Sequence, residues 1–567
     1  MKIFKRGRSC GAVFVMTLAV VLLSCAGLKV TQFYEKGTLA TGAPLATEIG
    51  REVFIRGGNA FDVAVAVGFA LAVVHPQAGN IGGGGFAVIR EGETGLIKAL
   101  DFRETAPAAA YEKMYLDDSG EVIENLSIHG ARAAGVPGSV AGLYELWKDR
   151  GTVPWEELVR IAADLADSGF VLDKYLADLL AGYKEELTDY PETAKIFFPD
   201  GKTLSAGERL QQKDLAASLY VIAADGPDGF YRGSIAERID SCMKIHNGLI
   251  TKEDLAAYRP IWREPLHFLF DSLDFYSMPP PSSGGIAVGQ ILKLLEPYDF
   301  SKLTPEGPDY IHIFCEAARR AFADRSQYLG DPDFCEIPPG LLDESYLEER
   351  RQTITMGHAS NSQLVQPGLP FRHESDQTTH ISICDQQGNA VALTTTLNTN
   401  FGSKLVVAGA GFLLNNEMDD FSIKPGFPNN WGLVGAEANK IEPGKRMLSS
   451  MSPTLVMRKG KPYLVLGSPG GSKIITAVAQ AVLDITRFDR SLQETVARPR
   501  FHHQWLPDKI DLEEGAFSVK TKQTLIRYGH TIEERTPYGD LQIIYIDPLG
   551  LMTAASDPRN RGTAAGY

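Results

Sequence analysis

The sequence is poor in cysteine, in long apolar runs and in net positive charge. Its 567 residues include six cysteines, none in a C-x-x-C spacing, so neither a zinc site nor a thioredoxin-like motif is indicated. The formal net charge of -14 at pH 7 disfavours a surface for nucleic acid or anionic lipid. The composition, with 44% hydrophobic residues, is that of a globular protein with a large buried core.

The first 24 residues are predicted to be a secretory signal. Basic residues precede an apolar run at positions 11–23, which is too short for a membrane span. The next feature, Leu22-Leu23-Ser24-Cys25, resembles a lipobox and favours a lipid anchor at Cys25. Ordinary cleavage after Ala26 and an uncleaved membrane anchor are the alternatives. All three predict export, and we expect a periplasmic location, membrane-anchored if Cys25 is lipidated.

The cysteines beyond the signal are Cys242, Cys315, Cys335 and Cys384. Export permits a disulfide among them. Cys315 falls on the apolar face of a predicted helix and Cys384 in an apolar strand, so buried free thiols are an equally good interpretation.

Several segments have apolar residues at helical spacing. The pattern predicts helices over residues 138–147, 156–165, 310–328 and 472–485. The segment from Gly37 is predicted to begin as a helix, and a four-glycine run within residues 80–91 precedes a strand.

The segment 346–377 is polar, contains two prolines and has little periodicity, so it is predicted to be an exposed linker. Residues 378–384 and 390–396 then alternate polar and apolar side chains around a turn at 385–388. This pattern predicts a β-hairpin inside a sheet. An exposed linker that leads directly into a buried strand is what a self-cleavage site requires.

Cleavage between Gln377 and Thr378 would place a hydroxyl and a free α-amine on one residue. The pKa of an unperturbed α-amine is about 7.7–8.0, so it can accept the hydroxyl proton near neutral pH. Thr378 would then be both nucleophile and base. The alternative is that Thr378 is an ordinary β-branched strand residue.

The surrounding motifs resemble those of the γ-glutamyltransferase family across nearly the whole mature chain. They begin with Asp101-Phe102-Arg103-Glu104 and Pro279-Pro280-Pro281-Ser282-Ser283-Gly284-Gly285. They continue with Thr378-Thr379-His380, Asn415-Asn416-Glu417-Met418-Asp419-Asp420, Leu448-Ser449-Ser450-Met451, Gly467-Ser468-Pro469-Gly470-Gly471-Ser472, Pro499-Arg500-Phe501-His502-His503 and Asp557-Pro558-Arg559.

The resemblance implies an α+β fold, the four-layer αββα sandwich of N-terminal-nucleophile hydrolases, formed by two chains from one precursor. The large subunit would span residues 25–377 and the small catalytic subunit residues 378–567. The two subunits are expected to stay associated after cleavage without a disulfide.

The resemblance also implies which residues bind a γ-glutamyl group. Its α-carboxylate would be held by Arg103, whose guanidinium can grip a carboxylate with two hydrogen bonds, and by the hydroxyls of Ser449 and Ser450. Its α-ammonium would be held by three further residues: Asn398, Glu417 and Asp420.

The remaining roles implied by the resemblance concern the reacting carbonyl and a lid. Gly470 and Gly471 would form the oxyanion hole at the start of the helix predicted over 472–485, and Thr396 would orient the nucleophile. A phosphate-binding loop is a rival interpretation of residues 467–473, but Ser472 stands in the place of its second glycine. Trp431 would lie on a lid loop, where some family members carry tyrosine.

The expected function is that of a self-processing enzyme that cleaves glutathione and other γ-glutamyl compounds. The γ-glutamyl group would pass to water or to an amino-acid or peptide acceptor. We expect no cofactor and no metal, and we interpret three histidines as structural: His380, His502 and His503. A related cephalosporin (glutaryl) acylase, a poly-γ-glutamate-cleaving enzyme and an inactive ligand-binding surface lipoprotein are the alternatives.

Overall fold

A computed structural model describes residues 32–368, 379–424, 426–430, 432–434 and 437–567. Residues 34–567 form one compact unit, and residues 1–33 are a separate unit of which only 32 and 33 are described. Four residues that the sequence singled out lie outside the described ranges: Cys25, Gln377, Thr378 and Trp431.

The strands are β1 Gly37–Thr41, β2 Gly84–Arg90, β3 Ile97–Phe102, β4 Phe170–Val171, β5 Arg209–Leu210, β6 Ile261–Arg263, β7 Leu266–Phe270, β8 Leu273–Ser277, β9 Thr379–Asp385, β10 Ala390–Thr396, β11 Thr454–Arg458, β12 Lys461–Gly467, β13 Phe501–His502, β14 Ile510–Glu513, β15 Ile532–Arg535, β16 Gln542–Ile546, β17 Met552–Ser556 and β18 Thr563–Gly566. A seven-stranded antiparallel sheet has the order β18-β1-β9-β10-β2-β3-β6. A six-stranded antiparallel sheet has the order β17-β16-β12-β11-β8-β7. A three-stranded sheet has the order β13-β14-β15, and a two-stranded sheet pairs β4 with β5.

The α-helices are α1 Pro44–Ile55, α2 Ala60–Val74, α3 Ser139–Trp147, α4 Trp155–Ser168, α5 Lys174–Gly182, α6 Lys184–Thr188, α7 Pro191–Phe197, α8 Lys213–Asp225, α9 Pro227–Tyr231, α10 Ser234–Ile245, α11 Lys252–Ala257, α12 Gly284–Leu295, α13 Pro308–Tyr328, α14 Glu344–Gln352, α15 Lys473–Thr486, α16 Leu492–Ala497 and α17 Val519–Arg527. Short 3-10 helices include Glu417–Asp420, which belongs to the candidate site.

Three apolar cores define four layers. Helices α1, α2 and α3 cover the outer face of the seven-stranded sheet, where Ile383 is buried. Helices α12 and α15 cover the six-stranded sheet, and the core there includes Leu466 of β12 and Phe314 of α13. Between the two sheets, Ala392 of β10 and Val465 of β12 lie in a third core. The expected α+β, αββα architecture is therefore confirmed.

Helix α2 is buried on every side, as its almost continuous apolar sequence requires. The Asn59 side chain caps its N-terminus by accepting hydrogen bonds from the backbone N–H groups of Phe61 and Asp62. The Asp62 carboxylate in turn accepts a hydrogen bond from the Asn59 backbone N–H, completing a capping box. The helix therefore starts at a defined residue and packs against β9 and β10.

The predicted hairpin is present. Strand β9 pairs with β10 in an antiparallel register that places Thr379 opposite Thr395 and His380 opposite Thr394. The Asp385 carboxylate accepts hydrogen bonds from the backbone N–H groups of Gln387 and Asn389, which closes the turn between the strands.

Four predicted helices are confirmed with small shifts of their ends, as α3, α4, α13 and α15. The predicted helical segment from Gly37 is confirmed by α1 and α2, but its start was wrong, because residues 37–41 are strand β1, paired on one side with β9 and on the other with β18. This segment is a strand because it pairs with strands that are distant in the sequence, and the spacing of its own apolar residues does not indicate such pairing.

The prediction of an exposed linker over 346–377 was wrong for its first part. Residues 344–352 form helix α14, and the described residues after it are held by hydrogen bonds. Ser362 N–H donates to the Asp508 carboxylate at 2.7 Å, and Trp505 Nε1 donates to the Ser362 carbonyl at 2.8 Å. Residues 369–377 lie outside the described ranges.

The four cysteines that are described are free thiols, three of them buried and Cys335 half-buried. Burial raises the pKa of the Cys242 thiol to about 11 and that of Cys384 to about 12, so both stay protonated at neutral pH. Within the described ranges, none of the helices combines the length and apolar character that a membrane crossing needs.

The hairpin core provides a test of the fold. Leu393 of β10 is 1% exposed, whereas Leu549 in the turn after β16 is 85% exposed. Leu393→Ala should destabilise the protein by about 3 kcal/mol, since it leaves a cavity between sheet and helices. Thermal unfolding followed by circular dichroism should show a lower apparent Tm for Leu393→Ala and an unchanged one for Leu549→Ala. Equal Tm values would contradict this packing.

Candidate active site

Arg103 lies at the centre of a fully buried ionic cluster. It directly follows β3, and its side chain is 0% exposed. Its guanidinium lies 2.5 Å from Glu417 through Nη1 and 2.5 Å from Asp420 through Nη2. The Nε and Nη2 atoms also donate to the carbonyl oxygens of Met447 and Leu448, at 3.2 and 3.3 Å. Arg103 is thus oriented by carboxylates on one loop and by the backbone of another.

The cluster contains more carboxyl groups than cations. Glu104 lies 3.5 Å from Arg103 Nη1 and is also buried, so one guanidinium faces three carboxyl groups. Burial raises the pKa of Glu417 above its usual range, and the charge of Arg103 opposes this shift only in part. The pKa of Glu104 is raised for the same reason. A further cation is therefore favoured in this cluster.

Thr396 and Asn398 lie at the end of β10, beside the carboxylates. The Asn398 backbone N–H donates to Thr396 Oγ1 at 2.7 Å, and the Asn398 side chain donates to the Asn416 carbonyl at 2.9 Å. Asn416 directly precedes Glu417. Asn398 has a φ of +73°, a conformation that asparagine tolerates better than most residues. This turn brings the predicted ammonium-binding residues to one place.

The face of the hairpin to which Thr396 belongs looks toward the second sheet. Side chains two residues apart in a strand share a face, so Thr394 and Thr396 lie on the same side of β10. Thr394 Oγ1 is 2.9 Å from His380 Nδ1. A Cβ added to Gly467, at the end of β12, would lie only 2.4 Å from the His380 ring. The end of β12 therefore meets the start of β9, directly after Thr378.

Ser449 and Ser450 are completely buried next to the backbone that Arg103 contacts. The proline-rich loop holds them in place, because Ser449 N–H donates to the Pro281 carbonyl and Ser283 N–H donates to the Ser449 carbonyl. Sequence reasoning missed Arg325 of α13, whose Nη2 donates to Ser450 Oγ at 2.5 Å. No distinctive signal in the sequence marked it, because the same predicted helix also contains Arg319 and Arg320.

Gly470 and Gly471 form the turn between β12 and α15, with φ values of +134° and +68° that favour glycine. The Gly470 carbonyl accepts from Lys473 N–H, and the Pro469 carbonyl accepts from Ser468 Oγ. The N–H and C=O of a trans peptide point in opposite directions, so the N–H groups of both glycines point away from these partners. They lie at the positive end of helix α15, as an oxyanion hole requires.

A hydrogen bond joins the loop of the ionic cluster to the cavity beside these glycines. The Asn430 backbone N–H donates to the carboxylate of Asp419 at 3.1 Å, and Asp419 also accepts from Ser127 Oγ at 2.7 Å. Asn430 and Gly470 line one cavity of about 330 Å³. The loop that carries Asp420 is thus linked through Asn430 to the cavity that Gly470 lines.

The three histidines interpreted as structural are buried, and His380 and His502 are hydrogen-bonded. His380 bonds Thr394 and Ser382, whereas His502 bonds Thr476 at 2.8 Å. Burial lowers the pKa of His380 to about 3, and it lowers that of His502 well below its usual value, so both are neutral at pH 7.

One group of described side chains has a spacing that could hold a metal ion: His312, Glu316 and His530. Its atoms are already engaged. His312 Nδ1 and His530 Nε2 lie 2.8 Å apart, and the Glu316 carboxylate contacts Arg320 at 2.7 Å and Arg319 at 3.2 Å. A cation would have to compete with two guanidinium groups, so the donor set does not fit a metal site.

The arrangement can bind a zwitterion beside an oxyanion site. A buried guanidinium with two hydroxyls suits a carboxylate, and buried carboxylates suit an ammonium group. Arg103 contacts Glu417 and Asp420, and the glycine turn is linked to their loop through Asn430 and Asp419. Thr378, Gln377 and Trp431 are outside the described ranges.

Comparison with known proteins shows the family to which the chain belongs. The family model for gamma-glutamyltranspeptidase matches residues 46–567. A glutathione hydrolase proenzyme of Escherichia coli is 47% identical over 94% of this chain and 92% of its own length. A glutathione hydrolase proenzyme of Pseudomonas aeruginosa is 45% identical over 96% of this chain and 97% of its own length.

A solved structure of a cephalosporin acylase from Bacillus halodurans superposes with a TM-score of 0.84 at 27% identity. The match covers 95% of this chain and 97% of the other. The resemblance found in the sequence is confirmed, and the chain belongs to the γ-glutamyltranspeptidase family.

Proposed function

We propose that this protein is a self-processing γ-glutamyltransferase and glutathione hydrolase. It cleaves γ-glutamyl amides through a γ-glutamyl ester on threonine and passes the group to water, an amino acid or a peptide. The observation that carries this proposal is the buried contact of Arg103 with Glu417 and Asp420. Both curated relatives described above are named glutathione hydrolase proenzymes.

Cleavage between Gln377 and Thr378 would produce a large subunit, 25–377, and a small subunit, 378–567. Strand β9 of the small subunit lies between β1 of the large and β10 of the small subunit. The seven-stranded sheet would thus hold both chains together by backbone hydrogen bonds, which agrees with free cysteines among the described residues. Arg103 would come from the large subunit.

Substrate binding would replace ion pairs within the protein by ion pairs between the protein and the substrate. The α-carboxylate of the γ-glutamyl group would take two hydrogen bonds from Arg103, with the hydroxyls of Ser449 and Ser450 beside it. The α-ammonium would lie among Asn398, Glu417 and Asp420. Each substrate charge would replace one half of an existing ion pair, so few buried charges would be left uncompensated.

The chemical step would begin with attack of Thr378 Oγ on the γ-carbonyl. The α-amine of Thr378 would accept the hydroxyl proton, and the Gly470 and Gly471 N–H groups would stabilise the negative oxygen. The C–N bond would break as the amine leaves with a proton, leaving a γ-glutamyl ester. Water or an acceptor amine would then attack the ester and restore Thr378. Thr396 would orient the nucleophile.

Two further proposals concern residues outside the described ranges. We propose that Trp431 belongs to a lid that covers the glutamyl pocket and excludes water. From the basic and apolar N-terminal segment we propose export to the periplasm, with lipidation at Cys25 as an anchor.

The second candidate activity is a glutaryl or cephalosporin acylase, which the likeness to the Bacillus halodurans structure supports. A glutaryl group has a carboxylate but no α-ammonium. The buried surplus of carboxyl groups around Arg103 favours a substrate with an ammonium group, which favours γ-glutamyl amides.

The nucleophile is tested by removing one hydroxyl at a time. Thr378→Val should block both self-cleavage and turnover of a γ-glutamyl anilide, because no other group supplies the attacking oxygen. Thr379→Val is the matched control, since among the described residues Thr379 Oγ1 is buried without a hydrogen-bond partner. Mass spectrometry and an activity assay should show an intact, inactive chain only for Thr378→Val. A cleaved, active Thr378→Val protein would disprove the assignment.

The proposed binding of the substrate α-carboxylate by Arg103 is tested with Arg103→Lys. This variant keeps the buried positive charge but loses the bidentate hydrogen bonding of the guanidinium. The KM for a γ-glutamyl donor should rise by about 10- to 100-fold, whereas cleavage before Thr378 should continue. Arg527→Ala, at an exposed arginine, should leave KM unchanged. An unaltered KM in Arg103→Lys would rule out the proposed contact.

The ammonium role of Glu417 predicts a pH dependence. Its folded-state pKa is raised by burial, so the carboxylate is lost as the pH falls through that raised value. Donor KM should therefore rise severalfold toward acidic pH in the native enzyme, and this rise should be smaller in Glu417→Gln. Glu514→Gln, at an exposed position, should keep the native profile. Coincident profiles for all three proteins would refute the role.

A further inference from the structure

The chain enters the folded unit at one end of the two sheets, the entry end, which lies opposite the candidate active site. In the pairing of β1 with β9, the first residue of β1, Gly37, is opposite Asp385. Six residue steps along β9, about 20 Å, separate Asp385 from Thr379 at the active-site end. Just before β1, Tyr34 exchanges two backbone hydrogen bonds with Met552 at the start of β17, so the entry end includes the second sheet.

Two hairpin turns lie side by side at the entry end. Strand β12 begins directly after the turn 459–460, and β16 ends directly before the turn 547–551. The two strands are antiparallel neighbours, with Gly467 opposite Gln542 at the far end of the pair. Because Gly467 leads into the glycine turn of the candidate site, both hairpin turns are at the other end of the same strands.

The turn after β16 holds an exposed leucine in a fixed position. Leu549 is 85% exposed at its tip. The Asp547 carboxylate accepts hydrogen bonds from the backbone N–H groups of Leu549 and Leu551, at 2.8 and 2.9 Å, which fixes the turn. A half-exposed aromatic ring lies where the chain enters, since the Tyr567 hydroxyl accepts a hydrogen bond from Lys36 Nζ at 2.9 Å. Apolar side chains therefore point outward at the entry end.

The turn before β12 carries cations. Arg458, Lys459 and Lys461 are exposed. Lys459 and Gly460 have φ values of +52° and +76°, as a tight two-residue hairpin turn requires. The Arg458 guanidinium lies 3.6 Å from the centre of the Tyr463 ring, and neither lysine forms an ion pair with a described residue. The positive charge of this turn therefore faces solvent.

Exposed acidic residues at the entry end belong to the other sheet. Glu35 precedes β1, and Glu93 lies in the turn between β2 and β3. The turns of the six-stranded sheet are thus cationic and apolar, and the acids lie to one side of them. A cationic rim next to an exposed leucine and a tyrosine is the pattern of a surface that meets lipid headgroups.

The proposed lipid anchor brings this end of the molecule to a membrane. Eight residues, 26–33, separate Cys25 from Tyr34. Such a segment spans at most about 30 Å when fully extended. A compact unit of the size of residues 34–567 has a radius of gyration of about 24 Å, and its diameter is more than twice that. The tether is therefore too short for the active-site end to reach the bilayer.

We propose that a phospholipid bilayer is the partner of the entry face, defined as Lys36, Arg458, Lys459, Lys461, Leu549 and Tyr567. This inference rests on the proposed lipidation of Cys25. Leu549 enters the boundary between headgroups and acyl chains, the ring of Tyr567 lies among the headgroups, and the cations contact lipid phosphates. The candidate active site then opens away from the membrane, toward the periplasm from which γ-glutamyl compounds arrive.

The charge of the whole protein explains why the anchor is needed. With a formal net charge of -14, the chain is repelled by an anionic bilayer before contact. At physiological ionic strength this repulsion is screened beyond about 8 Å, so the local cations of the entry face dominate once the tether holds it at the surface. The entry face thus fixes the orientation of an anchored protein and does not recruit an unanchored one.

The orientation is measured on the full lipidated protein in vesicles of equal amounts of phosphatidylethanolamine and phosphatidylglycerol. A fluorescent dye is attached to Leu549→Cys or, as the matched control, to Phe427→Cys, which is 43% exposed on the loop that leads to Asn430. The unsubstituted protein gives the background from half-buried Cys335. Lipids with a nitroxide on the headgroup should quench the dye on Leu549→Cys at least about fivefold more than the dye on Phe427→Cys.

A second arm tests the phosphate contacts. Adding Lys459→Glu and Lys461→Glu should lower the quenching at Leu549→Cys severalfold, because like charges then meet at the surface. Lys174→Glu with Lys520→Glu, at exposed lysines of α5 and α17, changes the net charge equally and should keep the native quenching. Hydrolysis of γ-glutamyl-p-nitroanilide should be unchanged in all of these variants, since none alters a residue of the candidate active site.

Equal quenching of the two dyes on lipidated protein would overturn the inference, because the anchor alone would then leave the orientation random. Native quenching after the substitutions at Lys459 and Lys461 would overturn the phosphate contacts. The intact mass of the mature protein reports the lipid on Cys25. Protein without this lipid would contradict the proposed anchor and the inference together, whereas lipidated protein with equal quenching would contradict only the membrane-facing surface.

Discussion

A guanidinium group without access to water requires anions at close range, and the pair formed by Arg103 with Glu417 and Asp420 meets this constraint. The contact joins the end of β3 to the 3-10 helix Glu417–Asp420, and Arg103 and Asp420 are more than 300 residues apart in the sequence. It would join the two subunits after processing. The same three charges are those that a substrate zwitterion could exchange with, so stability and recognition depend on one set of atoms.

The layered fold explains how this cluster is connected to the glycine turn at Gly470 and Gly471. Strands β9 and β10 are neighbours in one sheet, and the end of β12 in the other sheet meets the start of β9. Residues just after the end of a strand do not take part in the hydrogen bonds of the sheet, so their side chains can face a site. The strand still holds their backbone in place, which positions those side chains precisely. Thr396, Asn398 and the glycine turn all lie at or just after strand ends.

Much of this organisation could be predicted from the sequence, because the spacing of apolar and polar residues indicates the individual helices and strands. Alternation of side chains predicted the hairpin of β9 and β10, and helical spacing predicted α13 and α15. The family motifs pointed to Arg103 and Glu417, whose side chains are in contact in the structure. Strand β1 was missed because its pairing partners are distant, and Arg325 was missed because its role depends on a serine in another element. The cavity beside Gly470 is lined by residues from several separate elements, which no local pattern in the sequence indicates.

We propose that the buried cluster recognises both charges of a γ-glutamyl group. The most direct measurement compares hydrolysis of γ-glutamyl-p-nitroanilide with that of glutaryl-p-nitroanilide, which differ only in the α-ammonium group. We expect a kcat/KM at least about 100-fold higher for the γ-glutamyl compound, since the glutaryl group leaves buried carboxylates without their cation. Equal values for the two compounds would contradict it.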